Sequence, residues 1–418
     1  MLKIIISAYA CNPYLGSEAG VGWGFVSGLS KFHELHVIVE KEKHFASINK
    51  YISLNPDLNI KFYFIKKIRF KLLRKIWPPS YYWFYRLWNF QAYILAKQLN
   101  EKHDFDIAHQ LTMVGFREPG YLWRLDIPFV WGPIGGFGYF PIRLFAFINL
   151  KSILYYIIYN IINFVQANQK GRSFKAAIKA NQHNIVGLIC ATKENQFFTD
   201  KYWNVKSQLI SEVGYINNYN NNIFEVNERE RSETFKIIWV GLLIPRKALN
   251  ILLYALAKID LGASWSLDIV GDGECMKSLI RLSMNLGISE NIFFHGDIPR
   301  ADVLKLISGS HVMAITSLRD LSSTITIESL SMGTPIICPD HCGFAEIVDS
   351  TCGIKYVTSS PVAMINELSK SLSLLVSDED YRRNLCRGAY IRAQYYTWEN
   401  KIKLVNSIYR SKKTFKRY

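Results

Sequence analysis

Residues 311–339 read HVMAITSLRDLSSTITIESLSMGTPIICP. The stretch opens on one apolar run, His311–Thr316, and closes on another, Pro335–Pro339. Between them lie a hydroxyl-rich turn, a segment with helical spacing from near Ser323, and a Gly-Thr-Pro breaker at 333–335. Short runs that are apolar throughout are the mark of strands covered by helices on both faces, as in a parallel sheet. A strand, a helix and a second strand in succession make a βαβ unit.

The same alternation continues in both directions. Strands are expected at Ile4–Ser7, His36–Glu40, Ile60–Ile65, Asp106–Gln110, Pro128–Gly132, Val186–Thr192 and Gln208–Glu212 in the first half. In the second half they are expected at Lys236–Gly241, Ser266–Gly271, Asn291–Gly296, His311–Thr316 and Pro335–Pro339. The predicted class is α/β: two facing Rossmann-like, doubly wound domains with a ligand cleft between them at the carboxyl ends of the strands. The domains are expected at 1–215 and 235–385, joined by an Asn-rich, charged linker at 216–234. Residues 386–418 are expected to form a helix and a basic tail that return to the first domain.

Composition agrees with two cores. A chain of 418 residues is too long for one ordinary core, and 49 % apolar residues rules out disorder. The net charge of +16 points to acidic partners: nucleic acid, anionic lipid or a phosphorylated small molecule. Seven cysteines are scattered, and the group Cys338, Cys342 and Cys352 around His341 fits no zinc spacing. Buried thiols in a reducing compartment are expected. The start, MLKIIISAY, reads as a strand without a leader cleavage site, and no apolar run reaches the roughly 20 residues of a membrane span. The expected location is the cytoplasm. Lys61–Arg86 holds eight Lys or Arg, no acid and many aromatics, and Leu144–Val165 is amphipathic. Both predict peripheral contact with an anionic membrane face.

The candidate site residues follow from chemistry. Asp320 and Glu328 flank Ser322, Ser323 and Thr324 where a strand gives way to a helix. Hydroxyls and helix-start amides suit phosphate oxygens, and a carboxylate can accept from adjacent sugar hydroxyls. Arg246 and Lys247 follow the first strand of the second half, where the next helix is expected to start. Cations there oppose the helix dipole unless an anion such as a diphosphate is bound between them. Gly16, Gly20, Gly22 and Gly24 follow the first strand, in the manner of a phosphate-binding turn or a closely packed helix. His109 sits on one strand, and Gly132, Gly135 and Gly136 end the next. Two Asp-x-Asp triplets, Asp104–Asp106 and Asp378–Asp380, read as structural, and no metal is expected.

Here the residues resemble a known family, the retaining glycosyltransferases of family 4, which have the GT-B fold. The resemblance rests on VGLLIPRKALNILLYAL, LDIVGDGE, IFFHGDIPRADVLKLISGSHVMAITS and SLRDLSSTITIESLSMGTPIICPDHCGFAEIV, with GSEAGVGW and IPFVWGPIGG in the first half. It implies that Glu328 binds the nucleotide ribose and that Asp320 lies near the donor sugar. Lys247 would hold the donor diphosphate, and Ser322–Thr324 would contact sugar or phosphate. Gly16 and Ser17 match the loop that closes over the diphosphate. Three departures stand out: Asp320 replaces a Glu, Gly241-Leu242 replaces a Gly-Arg pair, and Trp131-Gly132-Pro133 stands where many members carry a His. Arg246 is the candidate to replace the lost arginine, and His109 a candidate catalytic residue. Gly135 and Gly136 are placed on the acceptor side.

The resemblance implies a retaining hexosyltransferase without a cofactor. The donor would be a nucleotide diphosphate sugar, and the acceptor a lipid-linked carbohydrate in surface polysaccharide synthesis. Two other readings stay open. The charge and aromatics also suit a non-catalytic nucleic-acid-binding protein, although no nucleic-acid module is recognisable. A GT-B sugar-nucleotide epimerase would act on the same donor without an acceptor.

Overall fold

The computed structural model describes residues 1–68, 80–113, 115–215, 234–259 and 264–411. The chain divides into two compact units. The first comprises Met1–Gly138, Asn163–Gly214 and the chain from Trp398; the second comprises Tyr139–Ile162 and Tyr215–Thr397.

The first unit is built on strands β1 (Lys3–Ala8), β2 (Glu34–Glu40), β3 (Ile60–Ile65), β4 (Ile107–Thr112), β5 (Phe129–Ile134), β6 (Leu188–Cys190) and β7 (Gln208–Leu209). Their order is β3-β2-β1-β4-β5-β6-β7, and all pairs are parallel. The period of two along β1 sends Ile4 and Ile6 into one core cluster and Ile5 into another. Both faces are therefore covered, which is why the strand reads as unbroken apolar sequence. The final helix, Trp398–Ser411, supplies Ile402, Val405, Ile408 and Tyr409 to the first of these clusters.

The second unit is built on β8 (Thr234–Val240), β9 (Ser264–Val270), β10 (Ile292–Gly296), β11 (Val312–Ala314), β12 (Ile336–Pro339) and β13 (Gly353–Tyr356). Their order is β10-β9-β8-β11-β12-β13, again all parallel. The excursion Tyr139–Ile162 belongs here. Phe140, Leu144, Ile148 and Tyr156 enter the core cluster with Trp239 and Leu243, and Arg143 donates from Nε to the Thr358 carbonyl at 2.6 Å.

Three expectations change. The boundary at 385/386 falls inside the helix Glu379–Gln394; the chain leaves the second unit only at Trp398. The first domain is not continuous over 1–215, because Tyr139–Ile162 packs its aromatic residues into the other core. Strand β13 was not expected, since four residues with Lys355 exposed carry little apolar signal. The linker expected at 216–234 lies outside the described residues apart from Thr234, as do residues 69–79 of the basic aromatic stretch. The described ends of that stretch lie in β3 and in the helix Ser80–His103.

Candidate donor site

Sheet order in the second unit reverses between β8 and β11, the point at which open parallel sheets present ligand sites at their carboxyl ends. The turns after these two strands carry the cations and the first acid. After β8, the backbone of Gly241 and Leu243 is met by the loop after β9. A Cβ on Gly271 would lie 2.0 Å from the Gly241 carbonyl oxygen, and one on Gly273 would lie 2.5 Å from that of Leu243. Gly271, at φ +125°, therefore admits no side chain.

Arg246 and Lys247 occupy a single 3₁₀ turn, Pro245–Lys247, and the following helix starts only at Asn250. The expected clash with a helix dipole is thus displaced, and the two cations turn to a carboxylate instead. Leu318 N donates to the Arg246 carbonyl at 2.8 Å. Thr316 Oγ1 donates to the Lys247 carbonyl at 2.7 Å while accepting from the Trp239 indole at 3.0 Å. These bonds fix the cationic turn to the loop after β11. Lys247 Nζ then pairs with Asp320 Oδ2. Arg246 Nη1 lies 3.5 Å from Asp320 Oδ1 and donates to the Arg319 carbonyl at 3.0 Å.

Asp320 is held from its other side. Its N–H donates to Cys342 Sγ at 3.3 Å, and its Oδ1 accepts from Leu321 N at 3.0 Å. Burial pushes the carboxyl up, but Lys247 and Arg246 outweigh it and leave the group below the usual aspartate value. Ser317 accepts from His341 Nε2 at 2.9 Å through its carbonyl. Burial keeps that imidazole neutral down to about 4.

The helix Thr324–Ser331 follows. Ser323 precedes it at φ 61° and its side chain makes no cap bond. Ser322 is buried, while Ser323 and Thr324 are half-buried. Glu328 is only 8 % exposed and lies on this helix. Arg300, at the start of the helix Arg300–Gly309, donates from Nε to its Oε1 at 2.8 Å. Burial nevertheless raises the Glu328 carboxyl above the usual glutamate value, with Arg300 pulling the other way.

In the first unit, Gly16 and Ser17 are exposed at the N-terminus of the helix Ser17–Leu29, with Ser17 at φ 53°. Of the two readings open for the neighbouring glycines, the contacts at Gly22 and Gly24 are those of a closely packed helix. A Cβ on Gly22 would lie 2.1 Å from the Ala10 carbonyl oxygen, and one on Gly24 would lie 2.3 Å from the Trp398 ring. Gly22 and Gly24 serve close packing. Gly135 bridges Gly115, and Gly136, at φ 77°, accepts from Asn163 Nδ2 at 3.1 Å.

His109 is fully buried in β4. Its Nδ1 meets the Tyr409 hydroxyl at 2.5 Å and its Nε2 meets the Gly132 carbonyl at 2.8 Å. Both nitrogens are engaged and burial holds the pKa at about 4, so the structure makes His109 a core residue rather than the catalytic group expected from sequence. The Asp-x-Asp triplets also have local partners. Asp106 Oδ2 accepts from Lys3 N at 2.9 Å, and Asp378 caps the helix Glu379–Gln394 by accepting from Tyr381 N at 2.8 Å. Among the described residues no three His, Cys, Asp or Glu side chains group as a metal site.

Sequence reasoning missed Arg300 and Cys342. Arg300 stands 28 residues from its partner, with no local pattern to mark it. Cys342 was read only as one of several buried thiols.

Residues 221–392 match the family Glycosyl transferases group 1. The chain is 24 % identical over 176 residues to an uncharacterised glycosyltransferase of Methanocaldococcus jannaschii, covering 42 % of this chain and 44 % of that protein. It is 27 % identical over 136 residues to the D-inositol 3-phosphate glycosyltransferase of Corynebacterium urealyticum, covering 32 % and 31 %. These matches thus span less than half of either relative's length. Among solved structures, Anabaena HepE in complex with UDP and glucose aligns with a TM-score of 0.59 at 14 % identity, covering 97 % of this chain and 99 % of its own. Two parallel-sheet α/β domains with such neighbours give the GT-B fold.

Proposed function

We propose that this chain is a retaining glycosyltransferase that moves a hexose from a nucleotide diphosphate sugar to a carbohydrate acceptor. The observation that carries the reading is the convergence of Lys247 and Arg246 on Asp320 at the switch point of the second sheet, inside the segment that matches the group 1 glycosyl transferases. A solved neighbour that holds UDP and glucose supports the choice of donor class.

In this reading Lys247 and Arg246 bind the donor diphosphate and stabilise it as it leaves. An ammonium has three N–H donors, so pairing with Asp320 is compatible with holding a phosphate oxygen. Preorganised cations of this kind act without a metal, and losing one costs on the order of 3–4 kcal/mol in the barrier. Asp320 orients the donor sugar, Glu328 accepts from the ribose hydroxyls, and Ser322–Thr324 and the Gly16–Ser17 turn contact sugar or phosphate. The acceptor attacks the anomeric carbon from the face that the diphosphate leaves. The departing phosphate oxygen takes the acceptor proton, so configuration is retained without a covalent intermediate. Gly135 and Gly136 lie on the acceptor side, and the acceptor is a lipid-linked saccharide of a surface polysaccharide.

The test is product analysis with a panel of nucleotide sugars and saccharide acceptors. An acceptor-linked product of retained anomeric configuration is expected from the intact chain. Lys247→Ala and Glu328→Ala should each cut turnover at least about 10²-fold with the circular-dichroism spectrum unchanged. An altered nucleotide sugar formed without acceptor would mark an epimerase instead, and near-normal turnover in both variants would refute the site.

A further inference from the structure

The helix Leu150–Asn168 carries large apolar side chains on both sides: Tyr156 enters the core of the second unit with Ile153 and Tyr159 packed against it, and a second apolar row faces outward. Its inward side is fixed by asparagines. Asn160 Oδ1 accepts from Phe140 N at 2.8 Å and its Nδ2 donates to the Phe140 carbonyl at 2.9 Å. Asn163 is fully buried. The outward side carries Leu150, Leu154, Ile157, Ile158, Ile161 and Ile162, between 39 % and 80 % exposed. All six belong to the second unit. Scattered exposed apolar residues need no explanation, but a contiguous row of large aliphatics along one helix marks an interaction surface.

Charge identifies what covers it. Between Asp126 and Glu194 the chain has no acid and seven cations: Arg143, Lys151, Lys170, Arg172, Lys175, Lys179 and Lys193. Lys151 is exposed on the helix itself. Among the described residues no helix is long and apolar enough to cross a membrane. An aliphatic face without acids, set in a basic stretch and too short on hydropathy to span, is the pattern of a helix lying in the plane of a lipid interface. A second copy of the chain is a poorer occupant, because a self-complementary contact between two such helices would bring the Lys151 residues together with no acid on either helix to meet them.

We infer that the outer face of the helix Leu150–Asn168 inserts among the headgroups of an anionic bilayer, with the exposed Lys151 on the helix itself meeting lipid phosphate. This would hold the protein at a membrane face whatever reaction it carries out.

Flotation of the intact chain with vesicles tests the inference. The chain should float with phosphatidylcholine vesicles that contain phosphatidylglycerol and stay in the dense fraction with phosphatidylcholine alone. Added salt should weaken the binding. The double variant Ile158→Asp/Ile161→Asp should lower the partition coefficient at least about tenfold and leave the melting temperature near that of the parent, because both side chains are about half exposed and neither enters the core. Lys151→Glu should lower it in the same direction, and this variant carries the test if the double variant does not fold. The inference is overturned if the parent chain stays in the dense fraction with anionic vesicles, or if both variants float as it does. It is also overturned if light scattering shows a dimer that the double variant dissociates, since the face would then cover a second copy. Flotation reads no catalysis, so its outcome is separate from that of the transferase assay.

Discussion

At the scale of single residues, Asp320 is the group on which the site turns. It receives two cations and lies largely out of water. Lys247→Ala removes one of them and leaves a mostly buried carboxylate, which should destabilise the fold by about 1–3 kcal/mol. Adding Asp320→Ala should restore part of that loss, because the carboxylate left behind is then gone as well. A double-mutant cycle in urea should return a coupling between about 0.5 and 3 kcal/mol; simple additivity would show that the pair does not interact. The buried histidines make a separate prediction. His109 titrates at about 4 in the folded chain against 6.5 when unfolded. Between those values the unfolded chain binds the extra proton, so stability is lost as pH falls from about 6.5 toward 4. Each such histidine contributes a slope of up to about 1.4 kcal/mol per pH unit in that interval. His341 adds a second. His109→Gln should make the decline between pH 7 and 5 shallower by about one proton, read from unfolding at several pH values. An unchanged slope would mean that His109 is not buried as a neutral ring.

At the scale of elements, the helix Ser17–Leu29 shows how one pattern admits two readings. Its glycines invite a phosphate-loop reading, and Gly16 and Ser17 are indeed exposed at its start. Gly24 and Gly28 instead receive Trp398 and Ile402 of the last helix, whose side chains would meet a Cβ at 2.3 and 2.4 Å. Gly24→Ala should therefore cost about 1–3 kcal/mol by overpacking. Trp398→Leu in the same chain should recover part of it, and a Gly24→Ala chain as stable as the parent would refute the close contact. The regular strands were legible because burial on both faces leaves unbroken apolar runs. The partner of Gly24 was not, because it lies hundreds of residues away in the chain. The asparagines of the helix Leu150–Asn168 read in sequence as breaks in an apolar run. The structure makes Asn160 and Asn163 its anchors beside Tyr156, and turns Ile157, Ile158, Ile161 and Ile162 outward. Local hydropathy cannot reveal which residues face inward, since that depends on the Phe140 and Gly138 backbone to which the asparagines bond.

At the scale of the whole molecule, neither unit is one continuous segment. The first is completed by the chain from Trp398, which brings Tyr409 to His109 and fills one face of its sheet. A chain ending at Thr397 should consequently lose the cooperative melting of the first unit, and a soluble truncated protein with parental melting would contradict this. The candidate-site motifs were readable because they lie close to strand ends in sequence order, Lys247 after β8 and Asp320 after β11. Arg300 was not, because only the folded sheet brings its helix beside Glu328. The central claim is that these turns bind a nucleotide diphosphate sugar, and thermal melting of the intact chain against a panel of such sugars tests it most directly. At a hundred times its dissociation constant, the true donor should stabilise the folded chain by about 2.7 kcal/mol and raise the melting temperature. Lys247→Ala should abolish that rise. A panel in which no nucleotide sugar shifts the melt, or a shift that persists undiminished in Lys247→Ala, would contradict the account.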